Sequence, residues 1–212
     1  MAGLGIGPED FELFQIEDPE ERAEALENLL SPKLRTLGDE MAGGLSRVAG
    51  KELHPHLSRL ARRRGVAPEE IFVAFSESEK GFRGIPYLAI SVTRDQLHAR
   101  VAVRGESVRI VAMKRALERE AHNLARKGKP FRRLRQYCGW KYEELPEIAP
   151  AHSAAFWVEL AAELSPVGRG RTPAVDVGVA WPREEARSLA VGDVLGAFRD
   201  LAPLYKLLAN AV

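Results

Sequence analysis

The stretch Tyr87–Arg104, YLAISVTRDQLHARVAVR, constrains this chain more than any other. Leu88, Ile90 and Val92 alternate with Tyr87, Ala89, Ser91 and Thr93, and Leu97, Ala99, Val101 and Val103 alternate with His98, Arg100, Ala102 and Arg104. Alternation with period two belongs to strands whose two faces meet different surroundings. Folded about a two-residue turn at Asp95-Gln96, the runs oppose Val92 to Ala99, Ile90 to Val101 and Leu88 to Val103, which makes one face wholly apolar. The other face then pairs Thr93 with His98, Ser91 with Arg100 and Tyr87 with Arg104. A slip of one residue would mix the faces, so the side-chain pattern itself resists it. A lone hairpin is not stable in water, and its apolar face requires helices or further strands. The polar face has two readings. It is a solvated sheet face with ordinary charges, as antiparallel sheets commonly show, or it lines an anion-binding cleft.

The rest of the chain supplies the covering elements. Residues 1–8, Gly-rich, read as a flexible N-terminus, and 9–212 as a single α+β domain. Asp18-Pro19-Glu20-Glu21 is a helix start, with Asp18 as cap, Pro19 at the first position and Glu21 completing a capping box. Ala23, Leu26, Leu29 and Leu30 form that helix's apolar stripe. Ser31-Pro32 starts a second helix through Leu34, Leu37, Met41 and Leu45, weakened by Gly43-Gly44. Leu53–Arg64 reads as a third helix ending in a basic run before Gly65. Ile71–Phe75 is a short buried strand. Glu106-Ser107 leads to a helix that stops at Gly128, and Ala151–Leu164 looks helical. In Val175–Trp181, alternating valines put Asp176 on the polar side of a strand. Leu195 to Leu208 makes a final amphipathic helix, with a kink expected at Pro203.

Composition sets limits on function. A chain of 212 residues with 45% hydrophobic and 29% charged residues has ordinary globular proportions and can bury a sizeable core. A net charge of +1 implies no whole-molecule attraction to nucleic acid or membrane. The single cysteine, Cys138, allows no internal disulfide and fits a reducing cytoplasm. No apolar run approaches the roughly 18 residues of a membrane span, and MAGLGIGPEDFE lacks the pattern of a signal peptide. GLGIG follows no strand, so it is not a dinucleotide loop, and P-loop, HExxH, GxSxG and CxxC patterns are absent. No cofactor is expected. His54-Pro55-His56 has Pro between its histidines and no further ligand at metal spacing, so no metal is expected either.

The ordered set Phe11-x-x-Phe14, Glu21-Arg22, Pro32-Lys33-Leu34, Leu37-Gly38, Pro55-His56, Ala61-Arg62-Arg63, Val73-Ala74-Phe75, Lys80-Gly81, Pro86, and Phe198 through Leu204-Tyr205 resembles the YktB-like family of bacterial proteins, a domain of unknown function. The resemblance spans about Phe11 to Tyr205 and is poor over Gly105–Pro173. It implies an α+β fold of TBP-like or helix-grip type: an antiparallel sheet with N-terminal helices and a long C-terminal helix packed on one face. It implies no activity and transfers no catalytic residue. Its shared polar residues His56, Arg62, Arg63 and Lys80 are not needed to bury apolar area. Together with Arg100 and Arg104 they would form a positive cleft for a phosphate or carboxylate.

The first functional expectation is therefore a cytoplasmic protein that binds a small anionic ligand through His56, Arg62, Arg63, Lys80, Arg100 and Arg104. Three alternatives stand beside it. Arg126–Trp140, RKGKPFRRLRQYCGW, interleaves basic and aromatic residues as single-stranded nucleic-acid binders do; its plainer reading is a linker pinned by its aromatics. Asp176 and His56 would serve an enzyme as acid and base if one pocket held both. An interaction protein without pocket chemistry is the last.

Overall fold

Strand pairing organises the molecule. The computed structural model describes residues 3–60, 66–104, 107–126, 135–136, 153–164 and 173–212. Among the described residues, six strands, β1 (His54–Leu57), β2 (Glu70–Ser76), β3 (Tyr87–Thr93), β4 (Gln96–Arg104), β5 (Arg135–Gln136) and β6 (Pro173–Pro182), form one sheet in the order β1-β2-β3-β4-β6-β5. Every neighbouring pair is antiparallel.

The central hairpin forms with the expected faces but a different register. Its loop is Arg94-Asp95, both exposed, and the pairs are Val92 with Leu97, Ile90 with Ala99 and Leu88 with Val101. The Thr93 hydroxyl donates to the Gln96 carbonyl at 3.1 Å, and Arg183 N–H donates to the Asp95 carbonyl at 2.9 Å, so the turn is held from both sides. The displacement is two residues, and since faces repeat every two residues, every side chain keeps its side.

On one side of the sheet Ile71, Val73 and Phe75 of β2 join Leu88, Ile90, Val92, Leu97, Ala99, Val101 and Val103 of the hairpin and Val175, Val177, Val179 and Trp181 of β6 in the main core. The helices α3 (Ser31–Ala49), α4 (Ile110–Arg126), α5 (Ala154–Glu163) and α7 (Val191–Ala209) contribute to the same core. Of these, α3 and α7 contact strands of the sheet and each other, while α4 packs against α7 and α5. Among the described residues no helix is long and apolar enough to cross a membrane.

Two short helices, α1 (Pro8–Glu12) and α2 (Pro19–Ala25), precede α3, and α6 (Arg183–Ala186) precedes α7. Asp18 caps α2, accepting from the N–H groups of Glu20 and Glu21 at 2.9 Å each. A π-turn at Leu26–Leu30 carries α2 directly into α3, where two separate helices were expected. The wider turn immediately precedes Pro32, whose ring would clash with the carbonyl four residues back in a regular helix. Gly43-Gly44 does not break α3. A β-carbon on Gly44 would lie 3.0 Å from Leu195 of α7, so this glycine serves the close approach of the two helices. The final helix also runs through Pro203.

One expectation fails on tertiary grounds. The start of the supposed third helix, His54–Leu57, is instead an edge strand on β2. Pro55 opposes a helix interior but is tolerated at a sheet edge; Ala61–Gly65 lies outside the described residues. Within the Gly-rich start, Leu4 and Ile6 are buried and Gly3 bridges to Ala190.

Candidate functional site

Among the described residues, the sheet's second side holds most of the buried polar side chains. Glu70, Phe72, Ala74 and Ser76 of β2, Tyr87, Ala89, Ser91 and Thr93 of β3, His98, Arg100, Ala102 and Arg104 of β4, and Asp176 of β6 share it by register, and all are buried. The solvated reading of this face is thus overturned, for Asp176 as well as for the arginines. Among the described residues, Phe82 packs against Phe72 and Tyr87 here, with ring centroids 5.5 and 4.8 Å away.

Arg100 stands in a row with Ala74, Ala89 and Gly178. Small neighbours leave a lane for its long side chain. A β-carbon at Gly178 would sit 2.6 Å from that of Arg100 and 2.3 Å from the Ala99 carbonyl oxygen. Arg100 Nη1 donates to Asp176 Oδ2 at 2.8 Å, and Nη2 donates to Glu70 Oε1. The three side chains are each 1% exposed. The guanidinium also lies 5.4 Å from the centroid of Phe72, and that of Arg104 lies 5.2 Å from Phe82. Guanidinium groups on ring faces gain from the ring quadrupole, more so when desolvated.

Burial sets the protonation states. The His98 imidazole is pushed down to about 3 by desolvation, with Arg100 adding to it, so it is neutral. Desolvation lifts the Tyr87 hydroxyl to about 12. It lifts Asp176 to about 7 against the pull of Arg100, with Glu70 pushing the same way. Two expected cations are therefore engaged deep in the protein, Arg100 with carboxylates and Arg104 on an aromatic ring.

The other expected residues fall elsewhere. His56 shares the sheet side but lies three strands from Arg100, about 14 Å at ordinary strand spacing. Its Nε2 donates to the Ser78 carbonyl at 2.8 Å. Lys80 is exposed in the β2–β3 loop, its backbone N–H donating to Ser78 Oγ at 3.1 Å. Arg62 and Arg63 lie outside the described residues, as does most of 126–140. His56 and Asp176 are four strands apart, about 19 Å, too far for an acid–base pair in one small pocket. Among the described residues no group of three or more side chains is arranged to hold a metal ion.

Where the β2–β3 loop meets the start of α4 there is an open cleft of about 210 Å³ lined by Glu77, Ser78, Ile85, Pro86 and Arg109. Ser107 Oγ donates to the Gly84 carbonyl at 2.8 Å and fastens the loop to the segment preceding α4. Arg109 Nη1 donates to the carbonyls of Ala209 and Ala211 at 3.1 and 3.4 Å. Glu77 accepts from Lys51 at 3.1 Å and from the Tyr205 hydroxyl at 3.3 Å. Burial and Glu77 both raise the pKa of Tyr205, which keeps that hydroxyl a donor. A larger groove of about 630 Å³ beside α7 carries Glu185, Asp193 and Asp200 against one Arg199.

Sequence reasoning missed Glu70 and Arg109. Glu70 carried one usable signal, its period-two relation to Phe72, Ala74 and Ser76; nothing local pointed to its partner. Arg109 lay in a segment read only as a helix start.

This architecture defines the class: an α+β protein whose antiparallel sheet has an apolar side under helices and a buried ionic side. The family follows from sequence comparison. The profile described as "Domain of unknown function (DUF1054)" matches residues 7–155, and the chain belongs to that family. It is similar to a UPF0637 protein of Staphylococcus aureus (strain N315), 31% identical over 107 residues, covering 50% of this chain and 52% of the relative. It is also similar to a UPF0637 protein of Bacillus velezensis, 34% identical over 107 residues, covering 50% and 51%. The chain thus spans about half the length of these curated relatives in the match. These findings agree with the YktB-like resemblance, although its landmarks from Phe198 to Tyr205 fall beyond the matched residues.

Proposed function

We propose that the chain is a cytoplasmic protein that binds a small anionic ligand, a phosphate or carboxylate, and that the cleft between the β2–β3 loop and α4 is where it binds. The observation carrying this reading is the position of Arg109. Its Nη1 is used on the carbonyls of Ala209 and Ala211, which leaves Nε and Nη2 for ligand oxygens. Arg109 also stands immediately before α4, whose start adds positive potential, while the N–H groups of Arg109 and Ile110 are themselves donated to Ser107. Glu77, the one acid lining the cleft among the described residues, is already compensated by Lys51 and Tyr205. The larger groove beside α7 has more acids than bases and suits an anion poorly.

Of the residues singled out from sequence, Lys80 extends from the same loop, His56 holds that loop through Ser78, and Arg62 and Arg63 join the proposal as further cations. Arg100 is held by Glu70 and Asp176 and Arg104 lies over Phe82, so neither is assigned to the cleft. Calorimetric titration of inorganic phosphate and of acetate at low salt tests the reading. Saturable binding is expected, weakened about tenfold or more by Arg109→Gln and less by Lys80→Ala, since a charge-assisted bond is worth roughly 1.5–3 kcal/mol. Absence of binding to the folded protein at millimolar anion, or equal affinity in Arg109→Gln, would sink it.

A further inference from the structure

The proposed ligand cleft makes no use of the network Glu70–Arg100–Asp176. That network is unbalanced as it stands: two carboxylates converge on one guanidinium, and all three side chains are 1% exposed. Among the described residues, one oxygen of each acid, Glu70 Oε2 and Asp176 Oδ1, is buried without a hydrogen bond. A buried carboxylate oxygen with no donor is costly if charged, and taking up a proton removes the charge. The neighbouring titratable groups do not supply that proton's charge. Tyr87 of β3, lifted to about 12, and His98 of β4, lowered to about 3, are both neutral near pH 7. Arg104, also of β4, has its guanidinium over Phe82. Among the described side chains, the charged groups acting on Asp176 are Arg100, which opposes protonation, and Glu70, which favours it; on β5, the strand packed against β6, Arg135 is registered opposite Gly178.

We infer that this network holds one proton in mildly acidic medium, carried by Asp176 and lost as the pH rises through neutrality, so that the fold is itself pH-sensitive. In the unfolded chain the same carboxyl ionises near its ordinary value of 3.8, whereas in the folded protein it stays protonated up to about 7. Between these values the folded state binds the proton and the unfolded state does not. The stabilising contribution is therefore complete below pH 4, declines as pH rises, and is gone above about 7. Within that window the folded-to-unfolded ratio should lose up to a factor of about ten per pH unit from this group. Ionisation would leave two buried negative charges sharing one cation between β2, β4 and β6.

Two measurements test this. In the intact wild-type protein, with aspartate side-chain carboxyls ¹³C-labelled, one carboxyl resonance is expected to titrate near pH 7 by NMR. In urea unfolding between about pH 5 and 8, Asp176→Asn should lack the decline seen in wild type. Glu70→Gln should move the decline to lower pH, since it removes the like charge. The inference is overturned if every aspartate carboxyl titrates below about pH 5.5 in the folded protein, or if Asp176→Asn reproduces the wild-type profile. Loss of the decline in Glu70→Gln, with only a shift in Asp176→Asn, would overturn the assignment to Asp176. Should either variant fail to fold, the NMR titration of the wild type decides alone.

Discussion

The two sides of the sheet are both buried, but they are built on different physics. The side under α3 and α7 is a continuous apolar layer in which Val92, Ile90 and Leu88 lie beside Leu97, Ala99 and Val101. Its stability comes from area removed from water, which is not directional and tolerates conservative exchange. The opposite side has a small apolar cluster, Phe72, Ala74, Tyr87, Ala89 and Ala102. Around it lie a neutral histidine, two arginines and two acids. Here stability depends on each charge meeting its counterpart, and a buried ion pair is worth much less than the damage done by breaking it. One side can be degraded gradually; the other depends on all its members.

The comparison is tested most severely by one substitution on each side. Arg100→Ala leaves Glu70 and Asp176 buried without their cation and should cost about 3–5 kcal/mol in urea unfolding. Ile90→Ala, on the apolar side of β3, should cost about 2–5 kcal/mol through lost transfer energy and a cavity. The difference between the sides lies in rescue. Converting Glu70, Arg100 and Asp176 together to well-packed apolar residues should restore the stability lost in Arg100→Ala, whereas no neutralisation elsewhere should rescue Ile90→Ala. If the triple variant stays as unstable as Arg100→Ala, the ionic side is held together by more than charge balance.

A smaller effect sharpens the geometry. Gly178→Ala should cost about 1–3 kcal/mol by overpacking, because its new methyl meets the Ala99 carbonyl and the Arg100 side chain. The loss should shrink in an Arg100→Ala background, where part of the obstruction is gone, and simple additivity would show that the lane for Arg100 plays no part. The smallest effect is expected at Ser91, whose buried Oγ makes no hydrogen bond among the described residues. Ser91→Ala should be neutral or slightly stabilising, since it removes a desolvated hydroxyl with no partner. A loss above about 1 kcal/mol would show that the hydroxyl has a role beyond filling space.

Much of this design was legible in the chain. Parity along Tyr87–Thr93 and Leu97–Arg104 assigned every side chain to its correct side, and the valines flanking Asp176 put that acid with the arginines. The parity survived a displaced turn because a shift of two residues preserves it. The ionic network itself was not legible. Glu70 is 30 residues from Arg100 and Asp176 is 76 away, and no local pattern couples positions so far apart. The edge strand at His54–Leu57 was hidden for the same reason: its apolar spacing suits a helix, and only the unpaired edge of β2 makes a strand the better partner.

The amino-acid sequence by itself determined the strands β2, β3, β4 and β6, the two faces of the hairpin, the capped helix start at Asp18 and the family, because these rest on periodicity and on neighbours a few residues apart. Only the tertiary structure decided that the polar face would be shut away from water. It also decided that Arg100 would be held between two acids, and that a cleft would form at Arg109. The physical reason is that burial and ion pairing are properties of what lies across the fold, and the cost of a buried charge depends on whether its partner arrives there.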